Sequence, residues 1–262
     1  MVDVADSGNG WTTMKRRKVE KLRREFSANV SHELKTPLTN ILGYAEMLDS
    51  GLAAEADRAE FIRTIRSEAE RMIGLVDDIM LLSHLDEGYS SDAFASVDLG
   101  EVVLAAADAL QAKAARYEVE LTVDPPKSPL VVEASASLLA ELFHNLIDNA
   151  IKYNRPGGTV TVSAAKESGR AVARVADTGL GIPAKETSRV FERFYRVDHS
   201  RSKLTGGTGL GLAITKHIAQ VHDADITLTS KEGVGTTIKV AFPSAIKGRV
   251  KSSQGRSKKR KK

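Results

Sequence analysis

His32 lies in the run Ser31-His32-Glu33-Leu34-Lys35-Thr36-Pro37-Leu38, where an imidazole has a carboxylate as its chain neighbour and a hydroxyl one turn on. Such a set can display a basic or nucleophilic nitrogen, with Glu33 orienting the ring or taking its proton. Val30 and Leu34 are one turn apart on the inward side, so at roughly 100° per residue His32 projects to solvent, free to meet another domain. Pro37 removes one helical hydrogen bond, frees the carbonyl of Glu33 and predicts a bend just past the histidine. Taken alone, a histidine placed this way is also what an ordinary helix surface looks like.

Two further groups of residues offer different chemistry. Glu141, Asn145, Asn149 and Lys152 recur at helical spacing on one narrow face, while Leu139, Phe143, Leu146, Ile147 and Ala150 bury the other. That polar stripe offers oxygen ligands for Mg²⁺ and a cation for phosphate, as a nucleoside triphosphate requires. Its bland alternative is an amphipathic surface helix, although two asparagines in mid-helix are poor helix formers. Glycines then cluster in Asp177-Thr178-Gly179-Leu180-Gly181 and in Gly206-Gly207-Thr208-Gly209-Leu210-Gly211-Leu212. Unobstructed backbone amides at the start of a helix suit phosphate. Neither cluster is a P-loop, because no Gly-Lys-Ser/Thr follows, nor a Rossmann turn, because no strand leads directly into the second.

The elements that must position these groups follow from periodicity. Apolar residues at 19, 22, 26, 30, 34, 38, 41, 45 and 48 predict a helix from Met14 to about Ser50, roughly 50 Å long. After a turn near Gly51, Phe61, Ile65, Ala69, Met72, Val76 and Ile79 form a second stripe that ends near Asp86-Glu87-Gly88. Two long helices with a short connection make an antiparallel hairpin, and one hairpin leaves much of both stripes wet, so two are expected to pair as a four-helix dimer. Residues 1–13 read as a leader and 90–97 as a Ser/Asp-rich linker. Beyond it, Asp98 can cap a helix to about Ala115, and strands are expected at 118–123, 130–133, 159–165, 171–176, 225–230 and 236–242. Helices are expected from Ser135 or Ser137 to Tyr153 and from Gly209 to Val221, with an irregular stretch from Asp177 to Thr208. This order predicts an α+β sandwich, one sheet with helices on one face, over 98–246.

Composition narrows the possibilities. The chain has 262 residues, 42% hydrophobic and 27% charged, enough for one large or two ordinary domains. It has no cysteine, which rules out disulfides, thiolate metal sites and a thiol nucleophile. The net charge of +4 hides an asymmetry: 247–262 hold nine Lys or Arg and no acid, leaving 29 basic against 34 acidic residues elsewhere. An acidic body with a basic, unstructured tail does not call for nucleic acid as a partner. A second basic cluster, Lys15-Arg16-Arg17-Lys18 with Lys21, Arg23 and Arg24, fits the cytoplasmic face of a membrane better than DNA.

Phe26 to Thr39 resembles the H box of the two-component sensor histidine kinases. Asn145-Leu146-Ile147-Asp148-Asn149-Ala150-Ile151-Lys152-Tyr153 is similar to their N box, Asp177 to Pro183 to the first glycine box, Val190 to Asp198 to the F box and Gly207 to Ile214 to the second glycine box. All occur in order between about residues 20 and 242, and the wording around His32 is similar to the phosphate-regulon sensor type. The resemblance implies a HisKA-type dimerisation and phosphotransfer hairpin (14–89) followed by an ATP-binding domain of the Bergerat, or GHKL, fold (98–246).

It also implies roles. His32 is expected to be the phosphoacceptor, Glu33 its general base, and Thr36 to position water for dephosphorylating a response regulator. ATP and Mg²⁺ are expected on Asn145, Asn149 and Lys152, with Tyr153 near the adenine and Asp177 accepting from the adenine amino group. Gly179, Gly181, Thr208, Gly209, Leu210 and Gly211 complete the expected nucleotide set. Expected partners are a second copy of the chain and the receiver domain of a response regulator. The family usually has a Gly-Gly pair where this chain has His222-Asp223-Ala224-Asp225, which predicts altered loop geometry. Its members usually carry a sensor and a membrane anchor, and neither is legible in this sequence. Two other functions share the fold: a non-kinase ATPase closing a dimer clamp, and a degenerate kinase kept for dimerisation. His32 in its box weighs against the first, and the intact Asn145, Asn149, Asp177 and glycines against the second.

Overall fold

The computed structural model describes residues 8–51, 53–88, 94–197 and 207–243, with side chains from Arg24 onward. Packing divides the chain into two compact units that interleave along the sequence. The first comprises 1–90, 180–221 and 230–235, and the second 91–179, 222–229 and 236–262.

The first unit is built on two long helices, α1 (Gly8–Asp49) and α2 (Glu55–Asp86). Helix α1 begins earlier than expected, so residues 8–13 of the anticipated leader are helical. Gly51, in left-handed backbone at φ +71°, turns the chain between the helices. Three contacts fix their antiparallel register: Glu33 with Arg71, Asn40 with Glu68, and Tyr44 with Phe61 at 5.0 Å between ring centroids. Leu75, Leu82 and Leu85 of α2 are buried within the chain. Leu38 and Leu42 of α1 and Ile62, Ile73, Val76 and Met80 of α2 stay 46–64% exposed, a second apolar face that a lone hairpin leaves wet. The same unit contains the turns of 180–197 and a short helix, α5 (Gly211–Val221).

The second unit holds the sandwich. Strand β1 (Ala95–Asp98) leads into α3 (Leu99–Arg116), β2 (Glu120–Asp124), β3 (Val131–Ala134), α4 (Ala136–Lys152), β4 (Thr159–Glu167) and β5 (Arg170–Asp177). Strands β6 (Asp225–Lys231) and β7 (Gly235–Ala241) complete a five-stranded sheet ordered β2-β4-β5-β7-β6. Its β2–β4 pair is parallel, and β4–β5 and β5–β7 are antiparallel, with Val162 opposite Val175 and Val175 opposite Ile238. Central β5 buries Ala171 to Ala173 and Val175, as a strand covered on both faces does. The single expected sheet becomes two, because β1 and β3 pair separately, Ala95 opposite Ala134. Part of the expected linker 90–97 is therefore strand, and 89–93 lie outside the described residues, as does the basic tail. Asp98 caps α3 as anticipated, accepting from the Gly100 N–H at 2.9 Å, and also takes the Leu130 N–H at 3.3 Å. No described helix is long and apolar enough to cross a membrane.

Helix α4 carries the sandwich core on one side. Leu139, Leu142, Phe143, Leu146, Ile147 and Ile151 are buried, each stabilising the fold by about 1.5–3 kcal/mol. Within this helix Asp148 accepts from Lys113 of α3 and lies 2.6 Å from Lys152 Nζ. Burial alone would push its carboxyl up, but Lys152 and Lys113 together outweigh that and hold it below the usual carboxylate range. A depressed folded-state value means stability that is present above about pH 4, the unfolded range, and is lost as pH falls through the folded value. Asp148→Asn is expected to lower unfolding free energy at pH 7 by about 1–3 kcal/mol. In denaturant titrations the gap from wild type narrows below about pH 4, and a gap independent of pH contradicts this account.

Candidate active site

On α1 the His32 side chain is 80% exposed, while Val30 and Leu34 are half-buried, as the helical spacing requires. Its Nδ1 lies 3.8 Å from Glu33 Oε1, close enough to become a hydrogen bond with a small ring movement. Glu33 Oε2 accepts from two guanidinium groups, Arg71 Nη2 of α2 at 3.1 Å and Arg196 Nη2 at 3.0 Å. Arg196 also donates to the Gly207 carbonyl. Around the histidine, hydroxyls fold back onto the helix: Ser31 to the Ser27 carbonyl (2.9 Å), Thr36 to that of His32 (3.3 Å) and Thr39 to that of Lys35 (2.9 Å). A shallow depression lined by His32, Lys35, Thr36, Thr39 and Asn40 opens beside them.

In the second unit, α4 presents the expected polar stripe, with Glu141, Asn145, Asn149 and Lys152 half-buried. Asn145 Nδ2 donates to Glu141 Oε1 at 2.8 Å, which turns the amide oxygen away from Glu141. Lys152 is not the open cation its spacing suggested: it is paired with Asp148. Tyr153 ends α4, 37% exposed. At the end of β5, Asp177 Oδ1 accepts from the Gly179 N–H (2.9 Å) and the Thr236 N–H (3.2 Å), so Oδ2 is left for another donor. Burial pushes this carboxyl up against the opposing pull of both amides. A side chain on Gly179 would meet the Tyr153 carbonyl at 2.4 Å, so only glycine lets the loop pass beside α4. Arg155, which spacing did not single out, bonds the Thr178 and Gly179 carbonyls at 3.1 and 2.9 Å and ties that loop to the end of α4.

The remaining expected residues belong to the first unit. Gly181 packs against the Lys231 carbonyl. Gly209, at φ +74°, accepts at its carbonyl from the Phe194 N–H (2.8 Å), and a Cβ there would come within 2.9 Å of the Phe194 backbone. Phe194 is itself left-handed at φ +62°, rare for a bulky residue, so the F-box loop and the glycine loop are fitted to each other. Thr208 Oγ1 donates to Asp78 of α2 (2.8 Å) and accepts from the Leu210 N–H (3.2 Å). The Leu210 amide is thus already engaged and its side chain is buried, which makes it an anchor, while Gly211 opens α5.

The donor set of α4 fits a magnesium nucleotide. It offers one carboxylate and two carboxamides, hard oxygen ligands. Among the described residues no three His, Cys, Asp or Glu side chains cluster, so a cation here would depend on phosphate and water for most of its shell. At the expected family turn, Asp223 adopts φ +51°, so the left-handed backbone persists without glycine. The preceding His222 is 3% exposed, stacks on Phe94 and accepts from the Ser135 N–H at the start of α4.

Comparison with known proteins adds family evidence. Residues 22–88 match the His Kinase A (phospho-acceptor) domain, and 134–246 match the Histidine kinase-, DNA gyrase B-, and HSP90-like ATPase family. The sensor histidine kinase WalK of Bacillus subtilis is 40% identical over 229 residues, which are 86% of this chain and 37% of that protein. The sensor protein kinase WalK of Staphylococcus saprophyticus is 38% identical over 87% of this chain and 38% of its own length. The chain thus spans less than two fifths of these relatives. They are WalK proteins, which corrects the phosphate-regulon resemblance expected from the wording around His32. Among solved structures, full-length ShkA in complex with AMPPNP is 27% identical, with a TM-score of 0.60 over 84% of this chain and 45% of that one. Histidine kinase ThkA in complex with response regulator protein TrrA shares the fold at 20% identity, with a TM-score of 0.68 over 93% of this chain and 69% of that one. With a phosphoacceptor domain around His32 and an ATPase domain following it, the chain belongs to the sensor histidine kinases.

Proposed function

We propose that this chain autophosphorylates His32 from ATP and passes the phosphoryl group to an aspartate of a response regulator. The observation that carries this is the displayed imidazole with Nδ1 3.8 Å from the Glu33 carboxylate, inside a phosphoacceptor domain. Glu33 Oε1 takes the proton of Nδ1 while Nε2, on the outer side of the ring, attacks the γ-phosphorus. The bond from that phosphorus to the bridging oxygen breaks, and ADP leaves. Such a transfer depends mainly on alignment and charge neutralisation.

Asp177 Oδ2 accepts from the adenine amino group, and Tyr153 lies against the base. Asn145 and Asn149, with Glu141, would hold a Mg²⁺ ion, which would screen the phosphates, and Lys152 would exchange Asp148 for phosphate. The backbone at Gly179, Gly181 and Thr208 to Gly211 gives the phosphates close approach. Thr36 positions water for the reverse task, dephosphorylating the regulator. A regulator is also the partner bound to ThkA in the complex above. The exposed face of Leu38, Leu42, Ile62, Ile73, Val76 and Met80 pairs with the same face of a second copy, completing a four-helix bundle. The basic cluster Lys15 to Arg24 supports a place at the cytoplasmic face of a membrane.

Incubation with γ-labelled ATP and Mg²⁺ is expected to give acid-labile label on wild type and none on His32→Gln. Label that survives the substitution, or no label on wild type, contradicts the proposal. Asp177→Asn keeps an oxygen for the Gly179 and Thr236 amides but turns the other position from acceptor to donor. It is expected to weaken ATP binding by ~10–100-fold while melting no lower than wild type, because a costly buried charge is gone. Paired Leu42→Glu and Ile73→Glu substitutions are expected to halve the mass seen by sedimentation, and an unchanged mass would place the dimer contact elsewhere.

A further inference from the structure

Between α1 and α2 runs a line of polar groups that ends at the phosphoacceptor. Asn40 Nδ2 donates to Glu68 Oε1 at 3.0 Å, and Glu68 Oε2 lies 3.6 Å from Arg71 Nη1. Arg71 Nη2 donates to Glu33 Oε2 at 3.1 Å, and the other oxygen of Glu33 faces His32. Both Arg71 and Glu68 are mostly buried, at 23% and 20% exposed. The line is incompletely satisfied: Arg71 Nε and Glu68 Oε2 are buried with no hydrogen-bond partner among the described residues. A partly satisfied buried ion pair is a poor source of stability, since well-packed apolar residues serve as well or better. Its geometry has a different use. A carboxylate whose Oε2 is fixed by a planar guanidinium has its Oε1 direction fixed as well.

We propose that Arg71 is a positioning residue for the phosphoacceptor base: braced by Glu68 and Asn40, its guanidinium holds Oε2 of Glu33 and thereby turns Oε1 toward Nδ1 of His32. The role rests on the histidine kinase function proposed above. Arg71 meets Glu33 and Glu68, and acts on His32 through Glu33. The charged and titratable groups facing Glu33 are His32 on its own helix, Arg71 across the hairpin and Arg196 from the 180–221 segment. Arg196 holds the same oxygen at 3.0 Å and shares in the restraint; Arg71 is the part of it that comes from across the hairpin.

The full chain is assayed for the initial rate of His32 phosphorylation across ATP concentrations, with Arg71→Gln, Arg71→Lys, Glu33→Gln and the double variant Glu33→Gln/Arg71→Gln. Arg71→Gln is expected to lower kcat about tenfold, part of what a general base contributes, and to leave KM for ATP within about twofold. Arg71→Lys recovers part of the loss, since a single ammonium still holds Oε2 but without the planar fork. In the Glu33→Gln background Arg71→Gln adds nothing further, because residues acting as one unit are not additive. A wild-type kcat for Arg71→Gln, a loss confined to KM, or losses that multiply in the double variant would each overturn the role. If Arg71→Gln fails to fold by circular dichroism, Arg71→Lys in both backgrounds decides by the same criteria. Wild type without acid-labile label, or label persisting on His32→Gln, refutes the kinase function itself. A labelled wild type with an indifferent Arg71 refutes the positioning alone.

Discussion

One carboxylate oxygen, Glu33 Oε2, holds three parts of the first unit together. It belongs to α1, and it receives a guanidinium from α2 and another from the 180–221 segment. Arg196 is only 7% exposed, and an arginine cannot shed its proton to make burial cheap. Its burial therefore requires the Glu33 charge and the Gly207 carbonyl that it meets. Two further acids of α2 repeat the arrangement along the helix. Asp78 takes the Thr208 hydroxyl, and Asp86 takes Arg193 at 2.8 Å and stands 2.9 Å from His217 of α5. Phe26 and Phe194 add a ring contact at 5.6 Å beside these polar links. Beside the buried Leu75, Leu82 and Leu85, the unit is thus fastened by polar links at separated points, of which the more exposed Asp86–Arg193 pair is the one salt screens most.

The second unit is organised by the opposite means. Helix α4 is fixed by a wide apolar face, so the residues on its other side inherit a rigid support. Asp148 anchors two lysines at the edge of that face, and Arg155 and Gly179 fasten the Asp177 loop to the helix end. Asp177 itself is held by backbone donors, which no side-chain rearrangement can remove. Positioning by main chain and core is what a recognition group for a small ligand needs.

Much of this was legible in the sequence, and what was not has a common physical cause. Periodicity located the hairpin and all three shorter helices to within a few residues, because the apolar stripes are long and regular. Strand β1 was hidden, since Ala95 to Asp98 is short and follows a Ser/Asp-rich run that reads as loop. Residues 8–13 contain two glycines and two threonines, poor helix formers that concealed the start of α1. Of the candidate site, His32, Asn145, Asn149, Asp177 and the glycines are legible because local motifs carry them. Arg71, Arg155 and Arg196 were missed because their partners lie 38, 24 and 163 residues away, and no local spacing reports a pairing of that range. Spacing alone makes Lys152 a free cation for the complementary reason: its partner Asp148 is one turn away, but the burial that commits the pair is tertiary.

The hydroxyls that fold back around His32 have a mechanical consequence. Pro37 supplies no N–H to the Glu33 carbonyl, and Ser31, Thr36 and Thr39 each share a carbonyl that the helix also uses. These four perturbations fall within one short stretch, 31–39, where the backbone hydrogen bonding of α1 is loosened among its described residues. That stretch lies just before the Asn40 and Tyr44 contacts that hold the hairpin in register. The stretch of helix that bends most cheaply among the described residues is therefore the one that carries the imidazole.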